Sequence, residues 1–260
     1  MKLITFALFN HPSAQSFERA SYVRIFFWNC RMIRLIYPEW KIYVAIDDKT
    51  LGDFLKLFQW LEVNQGVKVQ PWGPTPPLCE GMLWRMKPVF DQDVSHILCR
   101  DADALVTFRE AQRVQQWLEG GKGIHSILDN PAHSGLMGGM IGIDTAKFKA
   151  ATNFTSWAQM IGEAGDLTQR GSDQHFLNKR ILPHILTETH THDSREQNQL
   201  LPSRLPGVDG KYWESNLCVA FIGAAGVNEM ETIRFFKRLD EYDYAAAEIQ
   251  KQFPQIFYWV

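Results

Sequence analysis

The sequence lacks several patterns that mark common classes of protein. Its four cysteines are scattered and form no C-x-x-C pair, which argues against a structural zinc site. No uncharged run is long enough to span a membrane, and a net charge of −2 lacks the basic excess typical of nucleic-acid-binding proteins. Neither a G-x-G-x-x-G motif after the first predicted strand nor a Walker A motif is present, which disfavours the classical dinucleotide-binding and P-loop NTPase folds.

The apolar run Leu3–Phe9 also lacks the marks of a signal peptide. It is too short for most secretory signals, and no small-residue cleavage site precedes Asn10. We therefore expect this run to form the first strand. Together with the scattered cysteines, it predicts a location in the reducing cytoplasm.

The order of predicted elements favours an α/β fold. With 260 residues, of which 45% are hydrophobic, the chain has the length and composition of one large soluble domain. Hydrophobic periodicity predicts alternating strands and helices, which is typical of a parallel sheet. The predicted strands are Leu3–Phe9, Lys41–Ile46, Val67–Pro71, Ile97–Cys99, Ile124–Leu128, Leu136–Ile143 and Leu186–Thr189. The predicted helices are Phe17–Tyr37, Leu51–Val63, Met82–Asp91, Arg109–Gly120, Phe148–Ile161 and Ser172–Ile181, and His190–Leu205 is a predicted exposed loop.

Two aspartates, Asp101 and Asp103, follow the predicted strand Ile97–Cys99. Residues i and i+2 of an extended segment point the same way, so the two carboxylates should project together. Like charges this close repel unless a cation lies between them, and Mg²⁺ takes oxygen ligands and is often shared with phosphates. The pattern predicts a metal and diphosphate site, although it also fits two solvated aspartates in a turn.

Polar residues after other predicted strands suggest that a site lies along one edge of the sheet. Asn10 follows the first strand and Asp47-Asp48 the second, and ligands bind open α/β sheets outside the carboxyl ends of strands. Taken alone, Asp47 and Asp48 fit solvated strand ends better than nucleotide contacts. Arg85, just before the Asp-x-Asp strand, could stabilise a leaving diphosphate or belong to a solvated helix face.

Glycines and one histidine are further candidates. Gly138 and Gly139 lie in the predicted strand Leu136–Ile143, where glycine marks either close approach of a ligand or tight packing. The histidines form no zinc-binding pattern, and we place only His133 in a site.

The stretch Ser172–Gln174 is predicted to begin a helix with Ser172 as its N-cap. Asp173 and Gln174 would then lie in the first turn, where the helix dipole stabilises a carboxylate. Asp173 suits the binding of a ligand's hydroxyl groups there better than proton abstraction. Alternatively, it only improves helix capping.

Taken in order, these motifs resemble the GT-A glycosyltransferases, the fold of nucleotide-diphospho-sugar transferases. The resemblance covers roughly Met82 to Pro183. The proteins that it resembles are bacterial and carry the motif series R-D-x-D-S, R-E, H…R-D-x-P-x-H and G-G-M-W-G. A D-Q pair follows in those proteins and also occurs in retaining family 8 enzymes. The matching stretches are Cys99–Leu105, Arg109-Glu110, His125–His133, Gly138–Gly142 and Ser172–Gln174, with departures at Ala104, Leu128 and Ile141, where the pattern has Ser, Arg and Trp.

The resemblance implies a GT-A fold with a mixed, mostly parallel central sheet flanked by helices. It implies a single domain over 1–260, in which 190–260 form a C-terminal extension that completes the donor site. The implied reaction moves a sugar from a nucleotide diphosphate sugar, most commonly a UDP sugar, to a hydroxyl of a glycan or small acceptor, with Mn²⁺ or Mg²⁺ as cofactor. The implied site residues are Asp101 and Asp103 for the metal; Asn10, Arg85, Arg100, Ala102 and Gly223 for the nucleotide; Asp129, Gly138 and Gly139 for the substrate; and Asp173, Gln174 and His133 for catalysis.

Two features of the implied site stay open. Family 8 enzymes supply a late metal-binding histidine, which the corresponding stretch Phe221–Gly226 lacks, so phosphate oxygens and water would complete the metal shell. An inverting reaction would use Asp173 or His133 as general base, whereas a retaining one would use Gln174 or Asp173 on the opposite face.

Three other functions are alternatives. Haloacid-dehalogenase-type phosphatases also carry an Asp-x-Asp, but it follows their first strand and continues with Thr or Val, where this chain has Leu105. A sugar-nucleotide pyrophosphorylase would need a Gly-rich loop after the first strand, which is missing. A degenerate GT-A domain that binds without catalysis is the third.

Overall fold

One seven-stranded sheet organises the chain. The computed structural model describes residues 1–10, 16–77, 79–195 and 251–253, with only the backbone described for 16–19. The strands are β1 (Lys2–Leu8), β2 (Lys41–Ile46), β3 (Val67–Pro71), β4 (His96–Arg100), β5 (Ile124–Leu128), β6 (Met140–Asp144) and β7 (Thr189–Asp193). Their order is β3-β2-β1-β4-β6-β5-β7, and only the pairings of β6 with β4 and β5 are antiparallel among those described. The predicted mixed, mostly parallel sheet is confirmed.

Helices flank this sheet on both faces. They are α1 (Ser16–Ile36), α2 (Asp48–Asp53), α3 (Leu55–Gln65), α4 (Glu80–Leu83), α5 (Phe108–Gly120), α6 (Thr145–Thr152), α7 (Trp157–Ala164), α8 (Ser172–Phe176) and α9 (Leu182–Ile185). Two 3₁₀ segments lie at Trp84–Phe90 and Leu186–Glu188, and a π-helical segment lies at Leu177–Ile181. Of the helices in the described part of the chain, none is both long and apolar enough to cross a membrane.

The core lies on both sides of the sheet. Successive side chains of a strand point to opposite faces, so Ile4 and Phe6 of β1 pack in a cluster with residues of α1 and α3. Leu3 points the other way and packs in a second cluster, which includes Trp84 and Phe148. Coverage of both faces is what a parallel sheet requires, because its central strands are apolar throughout.

Two predicted helices in the first half are each divided into two segments. The helix predicted at Leu51–Val63 is divided into α2 and α3 at Phe54, which leaves the helical conformation (φ −127°, ψ 24°) and packs 6.3 Å from the ring of Phe253. The helix predicted at Met82–Asp91 consists of α4 and then a 3₁₀ segment that contains Pro88, a residue that cannot donate a helical hydrogen bond.

Two predictions in the second half are wrong in their boundaries. The strand predicted at Leu136–Ile143 begins only at Met140, so Gly138 and Gly139 lie in the turn before β6. The helix predicted at Phe148–Ile161 is divided into α6 and α7, because Asn153 adopts a left-handed conformation (φ 59°) that ends α6.

The histidine-rich segment near residue 190 is an edge strand in the described sheet. The predicted strand Leu186–Thr189 is a 3₁₀ turn followed by the first residue of β7, and the predicted loop is wrong for residues 190–193. The parallel pairing of β7 with β5 joins two imidazole rings, since His125 Nε2 and His192 Nδ1 lie 2.8 Å apart. His190 stacks on His192 with ring centroids 4.5 Å apart.

Candidate active site

The Asp-x-Asp element lies where β4 leaves the sheet. β4 pairs with β1 on one side and β6 on the other, and it ends at Arg100. Asp101 and Asp103 lie in the turn that follows, in which the Ala104 N–H donates to the Asp101 carbonyl at 3.2 Å. Because β1 and β2 run parallel to β4, the ends of all three strands lie along one rim of the sheet.

Asp101 is held by an ion pair with Arg85, which comes from the 3₁₀ segment before β4. Arg85 Nη1 donates to Asp101 Oδ1 and, at 3.4 Å, to the Arg100 carbonyl. The Arg85 side chain is 6% exposed, whereas that of Asp101 is 35% exposed. Burial opposes the charge on Arg85, but Asp101 and, more weakly, Asp173 hold the pKa of Arg85 above its usual value. A fixed, charged guanidinium of this kind suits a phosphate ligand.

Asp103 carries a charge that the protein compensates incompletely. Burial, and then repulsion from Asp101, raise the pKa of Asp103 to about 6. A divalent cation would supply the missing compensation, and carboxylate oxygens are ligands that Mg²⁺ prefers. The donor pair therefore fits Mn²⁺ or Mg²⁺.

The acidic pair gains no third His, Cys, Asp or Glu ligand in the part of the chain that the structure describes. No three His, Cys, Asp or Glu side chains come together there as a metal-binding group. The stretch Phe221–Gly226, with the predicted nucleotide contact Gly223, lies outside the described residues, as does most of the predicted extension at 190–260.

Gly138 and Gly139 are required by the Arg85–Asp101 pair. A Cβ on Gly138 would approach Arg85 Nη2 to 2.7 Å, and a Cβ on Gly139 would overlap the Asp101 carboxylate. The turn that holds both glycines therefore forms one wall around the acidic pair. Close packing, one of the two alternatives, is present, but it is against Arg85 and Asp101 and not against the aromatic core, and close approach of a ligand stays a prediction.

Asp173 and Gln174 lie beside this glycine turn. Gln174 Oε1 accepts a hydrogen bond from the Gly138 N–H at 3.2 Å, and Asp173 is buried. The prediction that Ser172 caps the helix is wrong. Gly171 occupies the N-cap position with a left-handed conformation (φ 83°), and the structure assigns it no side-chain cap.

Asp129 and His133 lie at the end of β5. The fully buried Asp129 carboxylate forms a two-bond ion pair with Arg109, at 3.2 and 2.5 Å. The Asp129 N–H donates to His133 Nδ1 at 3.1 Å. Burial lowers the pKa of His133, the charge of Asp129 opposes this, and Arg195 lowers it further. The ring is therefore neutral near pH 7, with Nδ1 as the acceptor and the proton on Nε2.

Arg100 and Ala102 are both buried, although each was predicted to contact the nucleotide. Arg100 Nε donates to Glu110 Oε1 at 2.6 Å, and its Nη1 donates to the carbonyls of Cys99 and Ile141. These bonds direct the guanidinium into the protein, where it joins β4, β6 and α5. Ala102 is 6% exposed.

Asp47 is a structural residue rather than the solvated strand end that was predicted. It caps α2 through the Thr50 N–H, at 2.9 Å, and it is fully buried. Its other oxygen accepts from the Asn10 N–H at 3.0 Å and the Thr75 hydroxyl at 2.5 Å. Asp47 thus joins the ends of β1 and β2 to the loop after β3, and it fixes Asn10 at the rim.

Sequence reasoning missed three side chains that hold the site together. Arg109 was quoted only as part of a motif, although it binds Asp129. Arg195 follows β7 and donates to the His133 carbonyl at 3.2 Å, and no local pattern identifies it. Asn178 bonds the turn before β6, and its position one helical turn after Gln174 is a signal that could have identified it.

Comparison with known proteins gives weak similarities in structure. No known family and no curated protein sequence matches the chain. Residues 1–349 of TarS from S. aureus match with a TM-score of 0.47 and 9% identity over 75% of this chain and 58% of that one. The glycosyltransferase GlyE of Streptococcus pneumoniae TIGR4 matches with a TM-score of 0.46 and 13% identity over 78% of this chain and 46% of that one. The bifunctional IspDF of Campylobacter jejuni matches with a TM-score of 0.45 and 11% identity over 85% of this chain and 55% of that one.

The chain thus spans about half the length of these three structures. With TM-scores below 0.5, the similarities carry no conclusion about its activity.

Proposed function

We propose that the protein is a metal-dependent glycosyltransferase that takes a nucleotide diphosphate sugar, with UDP as the first nucleotide to test, and a glycan or small hydroxyl acceptor. The observation that carries the proposal is the arrangement at the end of β4. Two carboxylates, Asp101 and Asp103, lie beside a buried arginine at the rim where an open α/β sheet binds ligands. The resemblance of the surrounding motifs to GT-A enzymes agrees with this reading.

The acidic pair and Arg85 would both contribute to binding the diphosphate, the pair through a metal ion and Arg85 through its own charge. Asp101 and Asp103 would hold Mn²⁺ or Mg²⁺, which as a Lewis acid offsets charge on the leaving nucleotide diphosphate. Arg85 already carries a positive charge in a buried position. Because it lies directly beside Asp101, its charge would stabilise the same leaving group as a second, permanent cation.

Asp173 is the better candidate for a general base than His133. Because His133 Nδ1 accepts from the Asp129 N–H, the neutral ring carries its proton on Nε2 and can donate but not accept there. We infer that His133 donates to a substrate oxygen. Asp173 would serve as base in an inverting reaction, and Asp173 or Gln174 would act at the anomeric carbon in a retaining one.

A transfer assay tests the proposal directly. Purified protein is incubated with a panel of nucleotide diphosphate sugars and Mn²⁺, with and without simple glycan acceptors, and release of the nucleotide diphosphate is measured. We expect slow hydrolysis with at least one donor, faster release with an acceptor, and loss of both with Asp103→Asn. Binding of nucleotides without any release would instead indicate a non-catalytic binding domain, and hydrolysis of simple phosphate monoesters would indicate a phosphatase.

A further inference from the structure

Two amide side chains of one helical stretch hold the turn that contains Gly138 and Gly139. Asn178 Oδ1 accepts from the Leu136 N–H at 2.8 Å, and Asn178 Nδ2 donates to the Leu136 carbonyl at 3.1 Å. One helical turn earlier, Gln174 Oε1 accepts from the Gly138 N–H. The backbone of residues 136–138 is therefore fixed at three polar atoms by two side chains.

The helix is shaped to place Asn178 in this position. Residues Leu177–Ile181 form a π-helical segment, a rare conformation that occurs frequently at functional sites. Asn178 Nδ2 also donates to the Gln174 carbonyl at 2.9 Å, so one carboxamide links the helix backbone to the turn. Gly135 leaves room for it, because a Cβ there would overlap Asn178 Oδ1.

The turn at residues 136–139 limits where the acidic pair can lie. Gly138 packs on the Arg85 guanidinium and Gly139 on the Asp101 carboxylate, both too closely for any side chain. A shift of the turn backbone would therefore open space around Asp101 and let its carboxylate rotate. Within the described residues, the hydrogen bonds of Asn178 go to Leu136 and Gln174 and not to Asp101 or Arg85, so its effect would pass through residues 136–139.

We propose that Asn178 is a positioning residue for the metal ligand Asp101 and, through it, for the reaction. This inference depends on the proposed metal site and adds a residue that supports it from outside the ligand shell. Replacing a residue that orients a metal ligand typically lowers metal affinity or activity 10–100-fold. We expect an effect in this range from the loss of a single carboxamide.

The test variant is Asn178→Asp, which has nearly the same shape and keeps an oxygen for the Leu136 N–H, but cannot donate to the Leu136 and Gln174 carbonyls. Asn178→Ala, which removes all of these bonds, is the second variant. The matched control is Asn64→Ala, because Asn64 also donates its amide to the carbonyl four residues earlier, that of Trp60, at 2.9 Å, but lies at the end of α3. All three proteins are compared with the unaltered chain by thermal unfolding first.

The readout is paramagnetic broadening of glycine amide signals by Mn²⁺ in protein labelled with ¹⁵N-glycine. In the unaltered chain, we expect the Gly139 signal to broaden at the lowest Mn²⁺ concentrations, because Gly139 touches Asp101. In both Asn178 variants, the midpoint of this titration should rise at least 10-fold and kcat should fall 10–100-fold, while KM for the acceptor changes less. Asn64→Ala should leave the midpoint and kcat unchanged.

The outcomes separate this inference from the proposed function. If Gly139 in the unaltered chain is not broadened selectively, the metal site itself is wrong, and the role of Asn178 is rejected with it. If Gly139 is broadened but the Asn178 variants titrate like the unaltered chain, the metal site stands and the positioning role is wrong. Failure of both variants to fold would assign Asn178 to stability alone and would also reject the inference.

Discussion

At the scale of single residues, Asp103 combines a cost in stability with a candidate function. Its raised pKa, about 6, reflects burial and the nearby charge of Asp101. A carboxylate that the folded state disfavours is expected where a cation is to bind, because the cation removes the penalty. The free energy of unfolding and the affinity for metal should therefore change in opposite directions when this charge is removed.

We predict that Asp103→Asn raises the stability of the metal-free protein at pH 7 by about 0.5–1 kcal/mol and abolishes Mn²⁺-dependent nucleotide binding. The measurements are urea unfolding and calorimetric titration of UDP with Mn²⁺. Asp53→Asn is the control, since Asp53 lies on α2, away from the acidic pair, and pairs at the surface with Lys49. Lower stability together with unchanged binding would contradict this account of Asp103.

The next prediction adds a side chain at Gly139, whereas the previous one removes a charge at Asp103. In Gly139→Ala, the new methyl would overlap the Asp101 carboxylate. Because Asp101 is partly exposed and can rotate away, we expect the fold to survive with a loss of about 1–3 kcal/mol, while the affinity for Mn²⁺ falls at least 10-fold.

The matched control for this substitution is Gly162→Ala on α7, where an added Cβ meets nothing within 4 Å. Alanine is favoured over glycine within helices, so this variant should be slightly more stable and bind metal normally. Far-ultraviolet circular dichroism, thermal unfolding and metal titration of the two variants give the comparison. Normal metal binding by Gly139→Ala would show that the turn does not constrain Asp101.

At the scale of secondary-structure elements, periodicity predicted which segments are buried but not how they end. The strands β1, β2 and β5 lie within one residue of their predicted positions, and each pairs with its neighbours along its whole length. The strand predicted at Leu136–Ile143 fails at Gly138 and Gly139, whose conformation depends on Arg85 and Asp101, residues distant in the sequence. Local pattern carries no information about such a contact.

The same distinction applies to β7. Its sequence, Thr-His-Thr-His-Asp, is polar and predicts a loop, yet it pairs in parallel with the buried strand β5. The pairing depends on partners that only the tertiary structure supplies, such as His125 for His192 and Gln116 for the other nitrogen of His192. Among the candidate site residues, the sequence predicts Asp101, Asp103 and Arg85, because they precede or follow one strand, β4. Asn178 and Arg195 were missed because their partners lie 42 and 62 residues away.

The imidazole chain between β5 and β7 predicts a dependence on pH. His192 Nε2 donates to Gln116 at 2.9 Å, so its Nδ1 accepts from His125 Nε2. This arrangement requires the His192 ring to be neutral, because a proton on its Nδ1 would remove the acceptor for His125. Burial, and then the neighbouring His190, lower the pKa of His192 to about 4, and burial lowers that of His125 well below its usual value.

In the unfolded protein, His125 and His192 bind protons near pH 6.5, whereas in the folded protein they do not. The contribution of the two neutral imidazoles to the free energy of unfolding is therefore complete above pH 6.5 and is lost as the pH falls towards 4. We expect a loss of about 1–2 kcal/mol over this range, less than a fully buried pair would give, since His192 is partly exposed. The measurement is urea unfolding at pH 7.5, 6 and 5 for the unaltered chain and for His192→Gln, whose dependence on pH should be weaker. Equal slopes for the two proteins would contradict the prediction.

At the scale of the whole molecule, the proposed site would join parts of the chain that are distant in sequence. Asn10 follows β1, Arg85 precedes β4, Asp101 and Asp103 follow it, and Asp173 lies on the helical stretch beyond β6. A ligand that contacts residues from all these elements binds only the folded chain, and it should therefore stabilise the fold as a unit by mass action. Thermal unfolding of the unaltered protein can detect this.

We predict that a nucleotide diphosphate together with Mn²⁺ raises the melting temperature, whereas neither does so alone to the same extent. At one hundred times the dissociation constant, a ligand adds about 2.7 kcal/mol, and for a chain of 260 residues this corresponds to about 5–10 °C. The requirement for both components follows from the proposed site, since a metal ion would join the carboxylates of Asp101 and Asp103 to an anion that they would otherwise repel. EDTA should remove the shift, and Asp103→Asn should not show it, whereas Asp53→Asn should show it in full. A nucleotide-induced shift that persists unchanged in EDTA would mean that Arg85 alone holds the diphosphate, and the metal-dependent reading would then be wrong.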